Sequence, residues 1–219
     1  KGHLRQSTTD VTAALAVMDL PMSRTMLDVL REEGRSDLIC ISARDARAQL
    51  QERHGWDDAT WQDLSVPTVG LNALGKRRFD YGTRHFDLVF RGAFEISLVD
   101  EHGKIYNRLP ASRKSDDQEA VQQARQTYKE VSEQLSVVVA RQRTRLEACL
   151  SAQHGWAPSV WLERIASHPL MRHFARMLVW KVVRDEMVEG VKQERIERLF
   201  LWTEEGEAIG LDYEPISCE

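Results

Sequence analysis

The sequence predicts an α+β fold, mostly helical, with a small central antiparallel β-meander packed by a long helix and a C-terminal helical bundle ending in a hairpin. Three stretches predict it. Gly75 to Pro110 alternates polar and apolar residues and is punctuated by glycines, the pattern of short strands joined by tight turns. Val121, Ala124, Tyr128, Val131, Leu135 and Val138 recur at alternating three- and four-residue steps, which is one face of a helix. Leu170 to Val188 is apolar nearly all round, the mark of a buried central helix.

In chain order, Lys1 to Thr9 is polar and reads as frayed. Asp10 caps a short helix that Pro21 ends, and Ser23 caps a second that Gly34 stops. Leu38 to Ile41 reads as a short strand. Ser42-x-x-Asp45 then resembles a capping box, opening a helix that Gly55 closes. Asp57 or Asp58 starts a turn of helix reaching Leu64, and Pro67 marks the crossing into the sheet.

Four strands follow: Arg77 to Tyr81, Arg84 to Phe90, the run holding Phe94, Ile96 and Leu98, and Ile105 to Leu109. Period-two alternation puts Phe86, Leu88 and Ile96 on a face that needs a covering helix. Ser115-x-x-Gln118 is a second capping box for that helix, which should run almost to Gln153. Its seam allows a self-associating coiled coil, but packing across its own sheet is the reading we favour. Pro158 opens another helix with Trp161, Leu162 and Ile165 inward, His168-Pro169 stops it, and Gly190 caps the helix after that. Leu199 to Thr203 and Glu207 to Leu211 form the closing hairpin. Residues 1–66 are thus an N-terminal helical segment and residues 67–219 the meander with its helices, together one compact unit. His54-Gly55-Trp56 with Trp61 is echoed by His154-Gly155-Trp156 with Trp161. The flanking residues do not match, which favours reuse of one helix-corner solution over duplication.

The totals narrow the function. A net charge of -4 argues against general, non-specific nucleic-acid binding, which needs a basic excess. Three widely spaced cysteines, Cys40, Cys149 and Cys218, give no disulfide framework and suit a reducing, cytoplasmic compartment. No apolar run approaches the ~18 residues of a membrane span. The first residue is Lys1 rather than Met, so we expect a piece of a longer protein.

The candidate motifs each fall short. Gly70-x-x-x-x-Gly75-Lys76 lacks the Ser or Thr that would hold magnesium, because Arg77 stands there, and it precedes a strand rather than a helix. His168 and His173 flank Pro169 and would not share a helix face, so we expect no metal, with His168 as a helix-cap or structural histidine. Asp80, Asp87, Glu95 and Asp100 lie near the meander without the Glu-x-Lys of a metal-dependent nuclease, because Ser97 follows Glu95 at that place. No nucleophile elbow or activated cysteine appears, so no catalytic set and no cofactor are expected. The best binding candidate is the basic and aromatic run Lys76, Arg77, Arg78, Tyr81, Arg84 and Arg91, which could contact phosphate or nucleic acid. An ordinary charged strand face is the competing reading.

Pro67-x-x-Gly70-Leu71, Asp80-Tyr81-Gly82-x-Arg84-x-Phe86, Asp100-x-x-Gly103-Lys104 and Leu109-Pro110, then Gln142-x-x-x-Leu146-Glu147, Trp156 with Trp161, His168-Pro169 and Leu178-Val179-Trp180, resemble in order a bacterial family called domain of unknown function 4132. Its members are often MolR-like and follow a Trp-Gly-Arg (WGR) domain. The resemblance spans roughly Trp56 to Gly206 and brings no catalytic residues with it. It implies a module of a larger bacterial protein, with any nucleic-acid link carried by other domains. The expected function is therefore a non-catalytic interaction or regulatory module whose partners are other domains of the parent chain or another protein. The alternative is an enzyme or phosphate-responsive domain using the Arg-rich meander.

Overall fold

The computed structural model describes residues 2–92, 94–188 and 191–216. Its contacts divide the chain into two compact units: residues 1–69 with 130–154, and residues 70–129 with 155–219. The first cut follows residue 69. The second falls inside the long helix, so residues 130–154, expected with the meander, group with the N-terminal helices.

In the first unit, α1 (Gly2–Met18), α2 (Pro21–Glu33), α3 (Asp37–His54) and α4 (Asp58–Leu64) follow one another. The α1 helix begins well before Asp10, so the expected frayed start and Asp10 cap are corrected. Pro21 does not end it. With its fixed φ, Pro21 occupies the first turn of α2. Ser23 is not the cap of α2 but its third residue. Its Oγ accepts from the Leu20 amide and donates to the Leu20 carbonyl, both at 2.8 Å. The strand expected at Leu38 to Ile41 is the first turn of α3, capped by Ser36, and the Ser42 box lies inside that helix. The spacing of buried Ala43, Ala46 and Leu50 is helical, and these residues pack with Leu27 and Trp61 into the core of the unit. Gly55 closes α3 at φ 68°, where a side chain would be strained. Asp57 caps α4 by accepting from the Thr60 amide at 2.7 Å.

In the second unit, β1 (Arg77–Asp80), β2 (His85–Arg91), β3 (Glu95–Asp100) and β4 (Ile105–Tyr106) form an antiparallel sheet in sequence order. This is the predicted meander, with a shorter last strand. Phe79, Phe86, Leu88 and Leu98 are buried and Ile96 is half-buried. The helix α5 (Gln118–Ser151) starts beside this sheet, with Val121 and Ala124 buried and Tyr128 edge-on to Phe79 at 5.5 Å. Asp117, not Ser115, caps it, accepting from the Glu119 and Ala120 amides.

The largest correction concerns the end of the chain. After α6 (Pro158–Trp161) and a π turn over Leu162–Ala166, α7 (Met171–Ala175) is one short helix. Leu162, expected inward, is exposed, whereas Ile165 is fully buried. The central helix and helical bundle expected from Leu170 onward are instead a long hairpin, β5 (Val179–Val188) against β6 (Val191–Trp202), with β7 (Ala208–Ile209) beside β6. A continuous apolar run does not by itself tell strand from helix. Here Val179, Val182 and Val183 are β-branched, stiff at χ1 and suited to a pleated surface. The expected Gly190 cap and Cys218 lie outside the described residues. The predicted closing hairpin is present as β6 and β7, with Leu201 opposite Ile209 and Trp202 opposite Ala208. Among the described residues no helix is long and apolar enough to cross a membrane.

Candidate functional site

The six predicted contact residues take different roles. Tyr81 is fully buried and donates its hydroxyl to the Pro110 carbonyl at 3.0 Å. Arg84 forms a two-pronged pair with Asp116, at 2.8 and 3.2 Å, and donates to the Ala111 carbonyl at 2.7 Å. The two side chains are 11% and 0% exposed. Asp116 also accepts from the Thr83 hydroxyl at 2.9 Å and the Arg113 amide at 2.7 Å. The Arg84 guanidinium, first, with the Arg113 amide and the Thr83 hydroxyl, holds the Asp116 carboxyl far below the usual carboxylate range, against the effect of burial. The pair locks the β1–β2 turn to the loop that leads into α5. Gly82, at φ 83°, lets that loop approach, because a Cβ there would come within 2.9 Å of the Asp117 Cβ.

Arg78 is exposed and pairs across the strands with Asp87 at 2.9 Å. Arg77, its neighbour in β1, points to the other face and lies against Gly70, where any Cβ would collide with its guanidinium. The glycine-rich stretch is thus an entry into the sheet, with Gly70 and Gly75 at φ 68° and 71°. Lys76 and Arg91 are exposed at the two ends of this run. The run is therefore divided between a buried ion pair, a cross-strand pair and separate surface positions. The nearby acids serve turns: Asp80 accepts from the Gly82 amide, and Asp100 accepts from the His102 and Lys104 amides and the Tyr106 hydroxyl.

His168 and His173 also separate. His168 Nδ1 accepts from the Leu170 and Met171 amides at 3.2 Å and so caps the start of α7. His173 borders a hollow of about 180 Å³ lined by Phe90, Gly92, Phe94, Arg176 and Met177. Burial, helped by the charges of Arg176 and Arg172, pushes its pKa down to about 4, so it is neutral near pH 7. Phe94 stands at φ 70°, unusual for a bulky residue, with its ring 4.1 Å from that of Phe174.

The first unit holds a feature that no local pattern announced. Asp28, on α2, is buried and accepts from Trp61 Nε1 at 3.0 Å. The guanidiniums of Arg47, Arg31 and Arg141 stand 3.3, 3.6 and 3.9 Å from it. Apart from Arg31, one turn further along α2, its partners come from three other stretches of chain, so sequence spacing carried no signal of the cluster. A groove of about 470 Å³ in the same unit is lined by Gln62, Arg145, Ala148, Cys149 and His154 among others. Burial pushes the Cys149 thiol pKa up, which keeps it protonated and weakly nucleophilic. Arg145 is paired with Asp63.

The hairpin is two-sided. On its inner face Trp180, Phe200 and Trp202 surround Trp161, with ring centres 5.1, 5.5 and 5.1 Å away. On its outer face Val179 pairs with Leu201, Lys181 with Leu199, and Val183 with Ile196. That face is open: Val179, Ile196 and Met187 are 58%, 58% and 69% exposed. Reading the stretch as a helix hid this surface. Its signal in the sequence was the alternation of Val179, Lys181, Val183, Asp185 and Met187.

Comparison with known proteins adds a family. The Uncharacterized protein YehI of Escherichia coli is 24% identical over 168 residues, which cover 77% of this chain and 14% of that protein. The chain therefore spans about one seventh of that relative's length. No solved structure matches it. A family model described as a domain of unknown function (DUF4132) matches residues 103–217, which takes in the end of the meander, α5 and the hairpin. Matched over more than half of its length, the chain belongs to the DUF4132 family.

Proposed function

We propose that the chain is a non-catalytic interaction module of a longer, cytoplasmic bacterial protein, binding through the outer face of its β5–β6 hairpin. The observation that carries this reading is a contrast between two surfaces. The polar residues of the meander are largely engaged in holding turns and strands, whereas Val179, Met187, Ile196 and Leu199 stand exposed together on one face of a long two-stranded ribbon. Apolar residues gathered this way mark interaction surfaces in soluble proteins. The E. coli relative, about seven times the length of the matched stretch, supports a place within a larger chain. Within that chain the module is MolR-like and regulatory, with nucleic acid reached through a neighbouring WGR domain.

The purified chain is expected to leave nucleoside triphosphates, nucleic acid and phosphomonoesters unchanged in product assays. Turnover above buffer that a single substitution in this chain removes would overturn the reading. A second reading is a phosphate-responsive domain, and the exposure of Lys76, Arg78 and Arg91 around the meander supports it. It differs by requiring that phosphate stabilise the fold.

A further inference from the structure

The outer edge of β5 points to a specific partner. In the three-stranded sheet β5 pairs only with β6, so its other edge is open among the described residues. The edge is ten residues long, and the irregularity in the β5–β6 ladder, between Val182 and Val183, leaves Glu197 of β6 as the unmatched residue. The extra residue therefore belongs to β6, and the β5 edge runs without a bulge. Soluble proteins blunt such edges by shortening them, bending them or covering them, because unpaired amides and carbonyls recruit another strand. β5 is long and unbulged, and it carries exposed Val179, Val182 and Met187.

We infer that β5 pairs antiparallel with β5 of a second copy of this chain, about a two-fold axis through Val183, joining the two hairpin sheets into one. This rests on the hairpin being an interaction surface and names what occupies it. Charge and shape choose the register. A two-fold normal to the sheet keeps each face together, so the axis must pass through a residue position. With the axis at Val183, Val179 faces Met187 of the copy, Lys181 faces Asp185, and Val183 faces itself. On this outer row the cross-strand pairs are then apolar on apolar and cation on anion, and a carboxylate accepts from more than one donor; the inner row sets Val182 beside Arg184 and Trp180 beside Glu186. Moving the axis to Arg184 sets two guanidiniums directly opposite each other. Moving it to Val182 sets Val179 against Asp185. Only the Val183 axis satisfies the whole outer row.

The mass of the chain in solution tests this. Sedimentation velocity on the full 219-residue chain, of 25.2 kDa, is expected to show a species of twice that mass growing with concentration. Val183→Asp places two carboxylates on the axis and should return the chain to single mass with an unchanged circular dichroism spectrum. Val183→Cys should form an interchain disulfide under mild oxidation, because only a residue on the axis meets its own copy at disulfide distance. Val182→Cys should not. A monomer at all concentrations overturns the inference, as does a dimer that Val183→Asp leaves intact or that crosslinks equally through Val182→Cys. A monomer that also shows no turnover sinks only the self-pairing and leaves the interaction module standing.

Discussion

Asp28→Ala is expected to destabilise the chain by about 3–5 kcal/mol, read from urea denaturation followed by tryptophan fluorescence. The cost arises from what is left behind. Arg47 is itself buried and stands 3.3 Å from the carboxylate, and Trp61, fully buried, donates its only N–H to it. Alanine leaves the Arg47 guanidinium with Asp58, 2.5 Å away, as its remaining counter-charge, and leaves a buried indole donor with no acceptor where water cannot substitute. Asp28→Asn should cost less, because the amide oxygen still accepts from Trp61. Equal losses in the two variants would mean that the charge, and not the hydrogen bond, holds the site. A loss below about 1 kcal/mol for alanine would place Asp28 among ordinary surface positions.

Arg84→Ala is the second large effect, expected to lower the urea midpoint by an amount comparable to Asp28→Ala. It strips the charge partner from Asp116, whose side chain has no exposed surface. It should also change the response to acid. Asp116 has a depressed folded-state pKa, so its contribution is complete above its unfolded value of about 4 and is lost as pH falls further. His173 is depressed too, from 6.5 to about 4, so its contribution is complete above about 6.5 and is lost on the way down to 4. The parent chain should therefore lose stability in two overlapping stages on acidification. Arg84→Ala should flatten the stage below pH 4 and keep the one above it. Midpoints at pH 7, 5 and 3 give the comparison, and an unchanged slope below pH 4 would show that Arg84 does not set the Asp116 titration.

The meander was legible because its signal is local. Phe86, Leu88 and Leu98 alternate with polar neighbours, and turns at Gly82 and Gly103 punctuate them. The Gly55 and Asp57 caps and the His168 cap were legible for the same reason. Leu38 to Ile41 misled because four apolar residues fit a strand as well as a helix turn. What decided the matter was Ser36 ahead of them and the helical spacing of Ala43, Ala46 and Leu50 behind. The hairpin was misread because Leu170 to Val188 merges a helix turn and a strand into one apolar run, with no glycine or proline between Ala175 and Val179. The α5 seam was correctly seen as helical, yet it continues unbroken while its surroundings change from the sheet to the N-terminal helices. Periodicity records which face is buried, not what buries it. Of the candidate contact residues, Tyr81 and Arg84 could not be told from ligand-binding groups by sequence, because Pro110 and Asp116 lie about thirty residues away.

The direct test of whether the meander's charges serve the fold rather than a ligand is a set of thermal melts titrated with inorganic phosphate and pyrophosphate at constant ionic strength. The structure predicts no saturable rise in Tm beyond the ionic-strength control. A saturable rise that Lys76→Ala or Arg91→Ala abolishes, with the unliganded Tm unchanged, would contradict it.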